Sequence, residues 1–332
     1  MRRPCGAFVF DFAVSNLKLE TCNLELFLIR FGAHFSIAGG VDRAAERARE
    51  VKADCLQMFV KSPSQWRFAT LSEDEVRRFR TTAREAGLRP LVGHASYLVN
   101  LASPDETLYE KSRRCVLEEW DRAERLGLDY LVLHPGTHMG SGAAAGLARI
   151  ALALDWLHHE RPGHKARILL ETTAGAGSAL CGRMEHFRYL FQSCDPIVTQ
   201  GPGPFSGWLG VAIDTCHLFA AGYDLRTPAA VEDTLGKLDA AVGLSSVLVV
   251  HANDAKGELA SHLDRHEHIG RGRLGSKTFR LLVRHPALAA LPFILETPKH
   301  DARGREMDPA NLRTLRRLAK PPGLPPAAAG GD

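Results

Sequence analysis

Short apolar runs recur along the chain and alternate with longer segments that mix polar and apolar residues. The runs are continuously apolar, and several are rich in β-branched residues, which is typical of strands buried on both faces. The eight runs are “LFLIRFGAH”, “DCLQMFV”, “PLVGH”, “DYLVLH”, “RILLE”, “LGVAID”, “SVLVVH” and “PFILE”. They predict eight strands.

The segments between these runs have the spacing of amphipathic helices. Helices are predicted over 39–53, 72–87, 104–127, 145–160, 227–243 and 275–290. In the second of them we expect Ser72 as the N-cap, Glu75 in the capping-box position and Gly87 at the end. The helix over 104–127 is expected to be interrupted near its start.

Strands and helices alternate in the order of a parallel (β/α)₈ TIM barrel, and an open doubly wound sheet is the alternative. Seven of the eight runs carry His, Asp or Glu at their carboxyl end. A closed ring brings that many strand ends to one centre, and active sites of such barrels lie at that face. The pattern therefore favours a single-domain α/β barrel.

The barrel domain is predicted to span residues 29–318. Residues 1–28 form an N-terminal extension, and the Pro-, Gly- and Ala-rich tail 319–332 is expected to be disordered. The segment “TQGPGPFSGWLG” (199–210) is predicted to be a loop before the sixth strand.

Composition narrows the class of protein. The 332 residues are 45% hydrophobic and 24% charged, with a net charge of +4 that permits an anionic partner without requiring one. The seven cysteines form no C-x-x-C pair, which favours a reducing, cytoplasmic location. Asp11, Glu20 and Glu25 interrupt the apolar start, so we expect no signal peptide. No run is long enough to suggest membrane association.

The ionisable residues at six strand ends are candidate metal ligands, together with His217 just after Asp214 and with Asp264 and His266 of the segment “HLDRHEHIG”. They comprise imidazoles and carboxylates, a set that suits zinc, with manganese or iron as substitutes. The nine candidates are His94, His134, Glu171, Asp214, His217, His251, Asp264, His266 and Glu296. Nine ligands fit two or three ions, because a catalytic metal takes roughly three to five.

Spacing supports this grouping. Asp264 and His266 share a face of an extended segment, whereas Asp214 and His217 can serve two neighbouring ions. A single histidine at a strand end is more often a polar cap, and we expect that role, or support of a ligand, for His34, His138 and His268. Two close metals suit phosphoryl transfer, but metal-dependent sugar isomerases use similar barrels, so these residues alone leave the reaction open.

Eight motifs together resemble the endonuclease IV family of apurinic/apyrimidinic endonucleases. They are “FGAHFSIAGG”, “GHASYLVNL”, “HPGTH”, “ETTAGAGS”, “IDTCHLFAAGYDL”, “HANDAK”, “LDRHEHIG” and “ILETP”, in order from Phe31 to Pro298. The resemblance implies a TIM barrel with three zinc ions.

The resemblance also implies how the ligands divide. His94, His134 and Glu171 would hold the first ion, and Glu171, the expected catalytic residue, would bridge to the second. Asp214, His251 and Glu296 would complete the second site. His217, Asp264 and His266 would hold the third.

The implied activity is base excision repair of damaged double-stranded DNA by a monomer. The enzyme would cut 5′ to an abasic site, leaving a 3′-hydroxyl and a 5′-deoxyribose phosphate, and would trim 3′-blocking groups as a phosphodiesterase and phosphatase. Tyr97 and Leu98 match the family's wedge into the duplex. Gln65 and Arg265 are further expected DNA contacts.

One departure concerns the segment “KSPSQWRF”, where Ser64 stands in place of an arginine that enters DNA in relatives. Gln65 or Arg67 would have to compensate. Two alternatives to the nuclease remain at this point: a metal-dependent sugar isomerase or epimerase, and a protein that binds damaged DNA without cutting it.

Overall fold

The computed structural model describes residues 29–194 and 207–320. The predicted extension 1–28, residues 199–206 of the predicted loop and residues 321–332 of the predicted tail lie outside the described residues. Within the described ranges the strands are β1 (Arg30–Phe35), β2 (Cys55–Phe59), β3 (Leu91–His94), β4 (Tyr130–Leu133), β5 (Arg167–Glu171), β6 (Leu209–Asp214), β7 (Val247–His251), β8 (Asp254–Ala255), β9 (His266–Glu267) and β10 (Pro292–Leu295).

Eight of these strands form a closed barrel in the order β1-β10-β7-β6-β5-β4-β3-β2, and every neighbouring pair is parallel. The eight apolar runs are these eight strands. The prediction of a TIM barrel is confirmed, and the doubly wound alternative is wrong, because β1 pairs with both β2 and β10 and closes the ring.

The helices in the described ranges are α1 (Asp42–Glu50), α2 (Glu73–Glu85), α3 (Glu106–Leu126), α4 (Ala143–Glu160), α5 (Met184–Cys194), α6 (Thr215–Ala220), α7 (Pro228–Val242), α8 (Gly275–Arg284) and α9 (Asp308–Ala319). The capping box of Ser72 and Glu75 at the start of α2 is confirmed. The interruption predicted near the start of α3 is wrong, because Asp105 caps the helix after Pro104 and α3 then runs unbroken.

Apolar side chains pack in two layers. A small cluster of strand residues fills the barrel interior, and a larger one lies between the strands and the surrounding helices. The interior cluster consists of Cys55, Val92, Val132, Leu169, Ala212, Val249 and Ile294. Polar side chains lie at the carboxyl ends of the same strands. The apolar interior is therefore closed below, and the polar side chains face the mouth of the barrel at that end.

A short antiparallel hairpin of β8 and β9 follows β7, and sequence periodicity did not predict it. Ala255 pairs with His266 and Asp254 pairs with Glu267. The hairpin folds the segment after β7 back toward the barrel. It therefore sets the position of His266.

None of the helices in the two described ranges is long and apolar enough to cross a membrane.

Candidate metal centre

The barrel brings the predicted metal ligands to its carboxyl-end opening. Six of them end a strand or follow it directly: His94, His134, Glu171, Asp214, His251 and Glu296. His217 lies on α6, directly after β6, whereas His266 begins β9 and Asp264 lies two residues before it. Eight of the nine side chains fall into groups whose ligand atoms lie within 4.8 Å of one another, and Asp264 contacts two members of those groups.

Glu171 occupies the centre of this arrangement and is fully buried. Its Oε2 lies 3.2 Å from His94 Nε2 and 2.9 Å from His134 Nε2. Its Oε1 lies 2.8 Å from His251 Nδ1. The two oxygens thus face two different groups of histidines, which is the geometry of a bridging carboxylate.

A second group shares Glu171 with the first. Glu171, Asp214, His251 and Glu296 can each place one ligand atom within 4.8 Å of the others. His251 Nδ1 also lies 3.4 Å from Glu296 Oε2. Three carboxylates and one imidazole in that space are a donor set for a divalent cation.

The third group combines His217 and His266 with a carboxylate. Asp264 Oδ1 lies 3.1 Å from His217 Nε2 and 3.2 Å from His266 Nε2. The mutually close set, however, is completed by Asp214, whose Oδ2 lies 3.6 Å from His266 Nε2. The Asp264 side chain is 51% exposed, so it lies at the solvent side of this group.

The histidines are held by their second ring nitrogen. His94 Nδ1 contacts the Ala95 carbonyl at 2.7 Å, and His217 Nδ1 contacts the Thr172 carbonyl at 2.8 Å. Because a carbonyl oxygen only accepts, each Nδ1 carries the proton and leaves Nε2 free as a ligand.

Two ring nitrogens, one of His217 and one of His266, provide a test of whether a metal fits. Nε2 of His217 and Nε2 of His266 are buried and make no hydrogen bond with any residue that the structure describes, although both approach Asp264. A buried polar atom without a partner is costly. A cation among these nitrogen and carboxylate donors would satisfy both atoms, so the residues fit a metal centre.

The electrostatics of the cluster also favour a cation. Burial lowers the pKa of His251, but the Glu296 and Glu171 carboxylates outweigh it and raise that pKa to about 9. Burial also lowers the pKa of His266, but Asp214 and Asp264 outweigh it and raise that pKa to about 9. Both shifts report a strongly negative field from closely spaced carboxylates.

Two orienting residues were missed at the sequence level. Gln57 is fully buried on β2, where its Nε2 donates to Glu296 Oε1 at 2.5 Å and its Oε1 accepts from His251 Nε2 at 2.7 Å. Asn253 donates to Asp214 Oδ2 at 2.6 Å and accepts from the Glu296 backbone N–H at 2.8 Å. A glutamine inside the apolar run “DCLQMFV” was the available signal.

The three histidines expected to be caps or supports do not join the close groups. His34 Nδ1 lies 3.0 Å from Gln57 Nε2 and 3.5 Å from Glu296 Oε1. His138 Nδ1 accepts from the backbone N–H groups of its own loop. His268 contacts Asn311 at 3.2 Å. Of the three, His34 alone contacts a candidate ligand, Glu296, and the roles of all three stay predictions.

The predicted DNA contacts lie on loops at the same opening. Tyr97 is 67% exposed, and its ring centre lies 5.2 Å from that of Phe59 and 5.8 Å from that of His94. Leu98 is half-buried, whereas Gln65 and Arg265 are exposed. Ser64 is exposed beside Gln65. An aromatic side chain above a metal centre is suited to entering a duplex.

The closed parallel barrel carries candidate metal ligands at its carboxyl face, and the chain matches the family described as xylose isomerase-like TIM barrel over residues 45–320. Within this class, a probable endonuclease 4 of Chloroflexus aurantiacus is 45% identical over 293 residues, which is 88% of this chain and 98% of that protein. A probable endonuclease 4 of Halothermothrix orenii is 39% identical, covering 86% and 99%.

The crystal structure of endonuclease IV from Thermus thermophilus superposes with a TM-score of 0.74 at 36% identity and covers 87% of this chain and 98% of that one. The chain belongs to the endonuclease IV family of hydrolases. A D-tagatose 3-epimerase-like protein also superposes, with a TM-score of 0.64 at 17% identity over 88% of this chain and 97% of that one. At that identity the likeness shows the shared fold alone.

Proposed function

We propose that this member of the endonuclease IV family is a zinc-dependent DNA repair enzyme. It hydrolyses the phosphodiester 5′ to an abasic nucleotide in duplex DNA and leaves a 3′-hydroxyl and a 5′-deoxyribose phosphate. The same centre trims blocked 3′ ends as a phosphodiesterase and phosphatase. The observation that carries the proposal is the convergence of eight candidate nitrogen and oxygen ligands, with the buried Glu171 shared between two of their groups and Asp264 in contact with the third.

Three ions are proposed. His94, His134 and Glu171 would hold the first, and Glu171 with Asp214, His251 and Glu296 would hold the second. His217 and His266 would hold the third together with Asp264, while Asp214 faces both the second and the third positions. Zinc bound there would stabilise the negative charge that develops on the phosphate oxygens and lower the pKa of water.

The protein residues supply orientation and exclusion of water. Carbonyl and amide partners fix the histidine rings, so their ligand nitrogens need no reorganisation during the reaction. The buried carboxylate of Glu171 holds its two oxygens toward two ligand groups at once. A phosphodiester placed over this opening would therefore meet a preorganised, largely desolvated centre.

Recognition depends on a nucleotide that leaves the stack. Flipping costs least where a base is missing, so the lesion contributes to selectivity. Tyr97 and Leu98 are proposed to fill the gap in the duplex, and Gln65 and Arg265 to contact the backbone. Ser64 is too short to enter the duplex, so Gln65 or Arg67 is proposed to compensate, the alternative being that DNA is held less tightly.

The deciding experiment maps the nick. Zinc-loaded protein is incubated with an end-labelled duplex that contains one tetrahydrofuran abasic analogue, with and without a chelator. We expect one cut on the 5′ side, a product that a polymerase extends, and loss of cutting with chelator.

Glu171→Gln is expected to lower the cleavage rate by at least about 10²-fold while the fold is retained, because the bridging charge is lost. The exposed Glu185→Gln on α5 is the matched control. Near-parent cleavage by Glu171→Gln, or sugar interconversion without any nick, would refute the proposal.

A further inference from the structure

Two loops that carry candidate DNA contacts are held by side chains of a single helix, α3. The first loop, residues 60–70, joins β2 to α2 and contains Gln65. The second, residues 95–105, joins β3 to α3 and contains Tyr97. We name them the Gln65 loop and the Tyr97 loop. Side chains of α3 contact the backbone of both loops.

Glu119 of α3 holds the Tyr97 loop. Its side chain is fully buried, and both carboxylate oxygens accept from the Ser96 backbone N–H at 3.2 Å. Cys115 Sγ donates to the same carboxylate at 3.7 Å. Ser96 directly precedes Tyr97, so this bond fixes the backbone from which the exposed ring projects.

Lys61 holds the Gln65 loop from the other side of the same carboxylate. Its side chain is buried, and the ammonium lies 3.5 Å from Glu119 Oε1. It donates to the Gln65 carbonyl at 2.5 Å and to the Ser62 carbonyl at 3.3 Å, and it lies over the Phe68 ring at 5.1 Å. The Gln65 loop therefore surrounds the Lys61 ammonium, which forms an ion pair with Glu119.

A second side chain of α3 closes the Gln65 loop at its base. Arg122, one turn after Glu119, donates to the Val60 carbonyl and to the Ala69 carbonyl, each at 2.8 Å. These two residues lie at opposite ends of the loop. The Gln65 loop is thus tied at both ends and at its middle to the helix that also fixes the Tyr97 loop.

Stability alone does not account for an ion pair at this position. Burial raises the pKa of Glu119 to about 7, and the charge on Lys61 opposes that rise. Such a pair loses the hydration of both charges, and a well-packed apolar pair is often equally stable or more so. A buried pair does specify one geometry, because each charge must meet its partner.

We propose that the buried Lys61–Glu119 pair positions the Tyr97 wedge relative to the Gln65 loop before damaged DNA binds. The pair acts through the two loops and touches neither the reacting phosphate nor the metal ligands. This inference rests on the proposed abasic-site function. Its consequence is that loss of the pair weakens binding of the abasic duplex, while turnover of bound DNA and zinc content stay at the parent level.

The test replaces both residues of the pair and measures its effect on DNA affinity separately from its effect on the melting temperature. Lys61→Met and Glu119→Leu are made singly and together. Each single variant leaves one buried charge without its partner and is expected to unfold at a lower temperature. The double variant removes both charges of the pair but leaves the Ser96 N–H and the Gln65 carbonyl without these partners, so it is expected to melt above both single variants and below the parent.

Affinity is expected not to recover with stability. The dissociation constant of the double variant for the tetrahydrofuran duplex should be about tenfold above the parent value, which is typical of lost coupling between packed residues. The KM should rise by the same factor, and kcat at saturating DNA should stay within about twofold. The exposed Lys237–Asp233 pair of α7, replaced by Met and Leu, is the control that should change none of these.

A double-mutant cycle identifies the loop through which the pair acts. In a Tyr97→Ala background, the double replacement should change the dissociation constant by less than about threefold, because no wedge remains to be positioned. Fully additive effects would overturn the inference. Recovery of parent affinity together with stability would also overturn it, since the pair would then be structural only.

Failure of this inference is distinguishable from failure of the proposed function. A parent protein that binds and cuts abasic and intact duplexes equally would overturn the function, and the positioning role with it. A parent that prefers the abasic duplex, with a double variant of unchanged affinity, would overturn the positioning role alone.

Discussion

Replacing Gln57 by leucine tests whether the metal centre depends on a residue that is not itself a ligand. The Gln57 amide donates to Glu296 Oε1 and accepts from His251 Nε2, and both partners are proposed to hold the second ion. Leucine has a similar volume and fits the buried position on β2. The substitution therefore removes the hydrogen bonds without opening a large cavity.

The expected loss of stability follows from the two candidate ligands, Glu296 and His251, that would lose their hydrogen bonds to Gln57. Each buried group that loses its hydrogen bond costs about 1–3 kcal/mol, and the new apolar side chain recovers about 1–2 kcal/mol. With about 2 kcal/mol lost for each partner and about 1.5 kcal/mol recovered, we expect the free energy of unfolding to fall by about 2–3 kcal/mol. Zinc affinity should fall about 10–100-fold, as is typical when a residue that orients a metal ligand is removed.

Two measurements check this prediction. Competition with a fluorescent chelator gives the zinc affinity, and denaturant unfolding of the zinc-loaded protein gives the stability. Gln192→Leu, an exposed glutamine on α5, is the control and should change neither by more than about 0.5 kcal/mol. If Gln57→Leu behaved like this control in both assays, the proposed orienting role of Gln57 would be wrong.

Three further outcomes are expected. Tyr97→Ala should weaken binding to abasic duplex about tenfold or more with zinc content unchanged, whereas Tyr189→Ala on α5 should leave affinity intact; equal affinity in both variants would contradict the wedge role. Gly32→Ala should destabilise the barrel by about 1–3 kcal/mol, because the added Cβ would lie 2.2 Å from the Cys55 carbonyl oxygen, while Gly163→Ala meets open space and should be neutral in thermal unfolding. Removal of zinc by dialysis against a chelator should lower the melting temperature, since ligand binding stabilises the folded state by about 2.7 kcal/mol at a hundredfold excess over the dissociation constant, and an unchanged temperature would argue against bound metal.

The barrel was predictable because each strand is buried on both faces and so appears as an uninterrupted apolar run. “RILLE” and “LGVAID” became β5 and β6 with Glu171 and Asp214 as their final residues. The short hairpin of β8 and β9 was not predictable in this way, since two-residue strands carry no measurable period. Helices α5, α6 and α9 were not predicted, and α6 is only six residues long and directly follows β6.

The positions of the candidate ligands followed from strand ends, but their division among ions depends on distances across the barrel. The resemblance assigned Asp214 to the second group. The structure places its Oδ2 3.6 Å from His266 Nε2, because the β8–β9 hairpin carries His266 back over β6. Asp214 also caps α6 by accepting from the His217 backbone N–H at 2.8 Å, which ties one carboxylate to two groups.

Three side chains near the candidate metal centre and the two loops are buried, which the sequence pattern alone does not show. Gln57, Glu119 and Lys61 are each buried and polar, and each has a partner more than twenty residues away in the chain. In the sequence, Gln57 interrupts an apolar strand, whereas Glu119 resembles any surface charge of a helix and Lys61 any surface charge of a loop. Burial distinguishes them, because a buried polar group must have a partner and thereby fixes where that partner lies. The candidate metal ligands are proposed to set the reaction of this barrel, and these buried polar contacts are proposed to hold its loops in position for damaged DNA.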